Sequence, residues 1–69
     1  MTNKPDVLYI NRGARLAGLD NGEFVPVTHW FDGMGEDCDP DIAASCVAGS
    51  EKTGWYSIDL RNFVYATVH

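Results

Sequence analysis

The amino-acid sequence predicts a single small all-β domain, built either as a barrel of short strands or as a strongly bent antiparallel sheet. Three observations predict it. The dipeptide Asn21-Gly22 separates two apolar runs, the strongest short-range cue for a hairpin. Between residues 55 and 60 the side chains of Tyr56, Ile58 and Leu60 share one face and those of Trp55, Ser57 and Asp59 the other, the period-two pattern of a half-buried strand. No long segment places apolar residues at helical spacing, and no internal repeat is present.

Val7-Leu-Tyr-Ile10 is a β-branched and aromatic run, and reads as the first strand, closed by Asn11-Arg-Gly13, whose glycine permits the dihedrals of a turn. Residues 14–20 and 23–31 form the second and third strands around Asn21-Gly22. With a two-residue loop, Asp20 would face Glu23, an unfavourable like-charge pair that a slightly longer loop avoids. Pro26 lacks an N–H, so its strand must lie at an edge or carry a bulge there.

Residues 32–41 hold five acids, two glycines and a proline, the composition of an irregular exposed loop. Ile42 to Gly49 reads as a fourth strand, preferred because the turn after it feeds a clear partner, the alternative being a short helix over residues 40–46 capped by Asp39 and Pro40. Gly54 suits a left-handed turn position before the fifth strand at Trp55–Leu60, and Phe63–Val68 is a sixth after the break at Arg61-Asn62. Five or six such strands make a small SH3-like barrel, residues 1–69 being one domain with residues 1–5 expected to be disordered. Dimerisation through the edge strand Phe63 to Val68 would relieve both the bare edge and the thin core.

A chain of 69 residues buries only roughly 60% of its unfolded surface, so its stability is marginal. The net charge of −5 is unevenly placed: Lys4, Arg12 and Arg15 cancel Asp6, Asp20 and Glu23, which leaves the whole excess in residues 32–69. A partner meeting that half would be positively charged, and direct nucleic-acid binding is disfavoured for want of a Lys and Arg cluster. No run approaches the roughly 20 apolar residues of a membrane span, and the first residues lack the pattern of a secretory signal, so the chain reads as cytoplasmic. In that compartment Cys38 and Cys46 are expected as free thiols, Cys46 in the core and Cys38 in the loop.

Candidate chemistry is thin. Asp37, Asp39 and Asp41 alternate, and hard cations take clustered carboxylate oxygens, but a calcium loop starting at Asp37 would need glycine and glutamate where Ile42 and Ala48 stand. His29, His69, Cys38 and Cys46 include no closely spaced pair of zinc ligands. His29, Cys38 and Asp32 supply the letters of a nucleophilic triad, yet so small a barrel has little capacity to hold them rigidly away from water. No cofactor, metal site or enzymatic activity is expected. The aromatic residues are more informative, because His29-Trp30-Phe31 and Trp55-Tyr56 put large rings on alternating faces, and an exposed ring beside an acidic rim makes an interaction surface.

The segments Val27-Thr-His-Trp-Phe-Asp32, Cys46-Val-Ala-Gly49 and Gly54-Trp-Tyr-Ser-Ile-Asp-Leu60 together resemble small proteins encoded by bacteriophages and prophages. The resemblance implies a short accessory protein that binds and alters a host or phage protein. The expectation is therefore a non-enzymatic binding protein whose partner-binding residues are Trp30, Asp32, Glu36, Asp37, Asp39, Asp41 and Trp55. Two other readings are an acidic decoy that occupies a nucleic-acid groove and a divalent-metal-binding module.

Overall fold

The computed structural model describes residues 5–61 and 66–68, the last three by their backbone alone. It is all-β, a curled sheet that forms a half-barrel. Six strands stand in the order β5-β4-β3-β2-β1-β6: β1 (Val7–Asn11), β2 (Leu16–Leu19), β3 (Phe24–Phe31), β4 (Ser45–Ser50), β5 (Gly54–Asp59) and β6 (Ala66–Val68). The first five form an antiparallel meander, while β6 runs parallel to β1, with Tyr9 opposite Ala66. The sixth strand thus occupies a sheet edge, as expected, although residues 63–65 of the expected span lie outside the described residues.

The sheet curls because β3 serves two neighbours in succession. Its first residues pair with β2 (Leu16↔Pro26, Ala17↔Val25, Gly18↔Phe24) and its later ones with β4 (Val27↔Ala48 to Phe31↔Ser45). Pro26 sits at the handover. The N–H of Val27 points to β2 and donates to the Arg15 carbonyl at 2.9 Å, so by alternation the donor that Pro26 lacks would point the other way, where pairing with β4 has not yet begun. A bulge at Thr28 follows, which bends the strand and shifts its side-chain parity.

That parity shift decides which rings are inside. Val25 and Val27 face the interior; after the bulge it is Trp30 that does so, leaving His29 exposed and Phe31 half-buried. Val7, Ile10, Ala17, Leu19, Cys46, Ala48, Ile58 and Leu60 complete most of the core, with Ala43 closing one end. Ile58 and Leu60 face inward and Trp55, Ser57 and Asp59 outward, as the alternation of β5 demands. Tyr56 reaches across to donate a 2.5 Å hydrogen bond to the Pro5 carbonyl, tying the β5 edge to the start of β1.

Three turns depart from the simplest reading of the sequence. Leu16 pairs with Pro26, so the hairpin around Asn21-Gly22 has a three-residue loop: Leu19 N–H donates to the Glu23 carbonyl (2.8 Å), Gly22 N–H to the Leu19 carbonyl (3.1 Å), and Gly22 takes φ +87°. This removes the direct pairing of Asp20 with Glu23. In the β1–β2 turn the left-handed position falls on Arg15 (φ 57°) and not on Gly13, and the Asn11 side chain accepts from Ala14 N–H at 2.9 Å. Residues 40–46 divide between both alternatives, a 3₁₀ turn at Pro40–Ile42 followed by β4 from Ser45; Asp39 stands at the cap position without a side-chain capping bond. Among the described residues no helix is long and apolar enough to cross a membrane.

Candidate functional site

The acidic segment is not an irregular loop. Asp32 N–H donates to the Glu36 carbonyl at 2.8 Å and Gly35 N–H to the Asp32 carbonyl at 3.0 Å, with Gly35 at φ +82°. This is the same three-residue turn that joins β2 to β3. One Asp32 carboxylate oxygen accepts from Met34 N–H (2.8 Å) and Glu36 N–H (3.1 Å), bracing the turn from inside. The chain then returns along β3, with a bridge between Phe31 and Asp37 and a 3.0 Å bond from Cys38 N–H to the Trp30 carbonyl.

Three sequence-derived candidates are repositioned by this geometry. Trp30 is only 7% exposed and belongs to the core, so it presents no surface to a partner. Trp55 is 53% exposed, but it pairs with Gly49, four residues along β5 from the Asp59↔Ser45 pair beside the acidic segment; at roughly 3.3 Å per residue that separates them by about 13 Å. Asp32 is half-buried and commits an oxygen to the turn, so it shapes the site. Glu36, Asp37, Asp39 and Asp41 are all exposed.

In place of the tryptophans, two features stand next to the acids. Met34 occupies the tip of the turn and is 87% exposed, between Gly33 and Gly35. On β3, immediately before the turn, the His29 and Phe31 rings stack with centroids 5.9 Å apart and planes 2° from parallel. The sequence signals that would have found them are the Asp-x-x-Gly turn pattern at Asp32–Gly35 and the outward alternation of His29 and Phe31 once the bulge is known.

Asp39 and Asp41 differ in setting from Glu36 and Asp37. They line a shallow depression of about 250 Å³ together with Arg12, Arg15 and Pro40, where both signs of charge meet. The Arg12 guanidinium donates to the Pro40 carbonyl at 2.6 Å and the Ala43 carbonyl at 3.2 Å, which fastens the 3₁₀ turn to the β1–β2 turn. The uncompensated negative charge is therefore concentrated at the tip.

Cys38 and Cys46 are both free. Cys46 lies in the core, and burial pushes its thiol up to about 11. Cys38, half-buried against the core, is also raised, by desolvation first and then by the carboxylates of Asp32, Asp39 and Asp37. Neither is an activated nucleophile, since reactive thiols need depressed values. Among the described residues no three His, Cys, Asp or Glu side chains converge as metal ligands would.

Comparison of the chain with models of protein families, with curated proteins and with solved structures finds no match.

Proposed function

We propose that this protein is a non-enzymatic binding protein that docks a basic surface of another protein with the hairpin tip at residues 32–37. The observation that carries the reading is Met34, 87% exposed on a turn whose backbone is fixed by its own hydrogen bonds and flanked by Glu36 and Asp37. A turn whose backbone is already ordered loses little further backbone freedom on binding, its polarisable side chain adapts to an irregular surface, and methionine is enriched where proteins meet. The carboxylates around it steer a positive partner and repel a negative one. The resemblance to small phage and prophage proteins supports a cytoplasmic accessory role against a host or phage protein.

Tagged wild-type protein, Met34→Ala, and the variant with Glu36, Asp37, Asp39 and Asp41 all changed to their amides are compared in capture from host lysate, and the retained protein is then purified and titrated directly. Both variants should weaken binding at least tenfold while leaving the circular dichroism spectrum unchanged. Wild-type affinity in folded forms of both variants rules out the tip as the site.

A further inference from the structure

The end of β3 far from Met34 carries a second surface of different construction. Tyr9, Gly18 and Phe24 stand in one row across β1, β2 and β3 on the outer face. The Tyr9 ring lies over Gly18 so closely that an added Cβ would sit 2.2 Å from its Cε1, and it meets the Phe24 ring edge-on at 6.2 Å and 76°. Leu8 extends the apolar floor. Both Leu8 and Phe24 are exposed although large and apolar. Together they bound a depression of about 250 Å³ whose rim carries Asp20 and Glu23, and no Lys or Arg among the described residues lines it.

Negative charge is dense at this end. The Asp6 carbonyl accepts from Asp20 N–H at 2.9 Å, which brings a third acid alongside. An aromatic floor with a carboxylate rim is complementary to a side chain that is apolar along its stem and cationic at its head. An isolated apolar side chain would leave the carboxylates unanswered, and a bare cation would leave the rings uncovered.

We propose that this depression receives a lysine side chain of a partner protein, its methylene stem lying on Tyr9 and Phe24 and its ammonium meeting Asp20 and Glu23. Phe24 and Phe31 are seven residues apart on one strand, about 23 Å at roughly 3.3 Å per residue, so this site and the acidic tip are separate contacts.

The test uses n-pentylammonium and n-pentanol as probes, titrated into isotopically labelled protein and followed by amide chemical shifts. Saturable shifts at Tyr9, Gly18 and Phe24 are expected, with the ammonium binding at least fivefold more tightly than the alcohol. The Asp20→Asn, Glu23→Gln double variant should lose that preference, and Phe24→Ser should lose binding of both probes. The variant neutralised at Glu36, Asp37, Asp39 and Asp41 should behave as wild type. Equal affinity for alcohol and ammonium, an unchanged preference in the double variant, or shifts confined to residues 32–41 would overturn the assignment.

Discussion

Cys46 shows how one atom's surroundings become a property of the whole protein. Its thiol is 1% exposed and its pKa is raised from 9.0 to about 11, so the folded state holds the proton more firmly than the unfolded chain does. The stability gained by keeping the thiol neutral is complete below pH 9 and is lost as the pH climbs through about 11. Urea titrations of wild type and Cys46→Ala should differ by about 1 kcal/mol in the lower range, with the gap closing on approach to the upper. A gap that is constant across this window would mean that the thiol titrates alike in both states. The same residue was readable in advance as a small core side chain, since sulfur between apolar neighbours needs no partner. The fate of the two tryptophans was not readable, because alternation assigns residues to two faces without saying which is inner. Val27, His29 and Phe31 share a parity, and only the bulge at Thr28 sends Trp30 inward in their place.

The turns carry the clearest lesson at the level of the element. Asn21-Gly22 announced its hairpin, and the like-charge pair of Asp20 and Glu23 was reason enough to expect a loop longer than two residues. The second turn escaped notice because five acids in ten residues give the composition of a solvated loop, and composition says nothing of the hydrogen bonds that Asp32 makes to its own backbone. Asp32→Ala removes both of those bonds and should cost about 1 kcal/mol. More tellingly, amide exchange at Met34 and Glu36, the two donors to that carboxylate, should accelerate tenfold or more while the β4–β5 amides keep their protection. Unchanged exchange in the turn would show that its glycines suffice without the carboxylate. Pro26 taught the converse: its missing donor called for an edge or a bulge at that residue, whereas β3 stands inside the sheet, passes there from one neighbour to the next, and bulges two residues later at Thr28.

At the scale of the molecule, an open curled sheet is held in its curve by few cross-connections, and Tyr56 supplies one of them. Its hydroxyl meets the Pro5 carbonyl at 2.5 Å, and desolvation together with the carboxylates of Asp20, Asp6 and Glu23 keeps the phenol protonated to higher pH than usual. Tyr56→Phe keeps the ring and removes the tie. It should lower stability by about 1 kcal/mol and raise exchange along β5 and β1 together, whereas an effect limited to β5 would make the bond merely local. Negative charge and all-β architecture were both evident from the residues alone, but the parallel pairing of β6 with β1 was not, since nothing in a short β-rich run declares its direction. That pairing imposes an order on biosynthesis. Residues 9–11 are made 57 residues before the partners that shield their outer edge, so until those follow the nascent chain must keep that open edge of β1 from sticking to its neighbours.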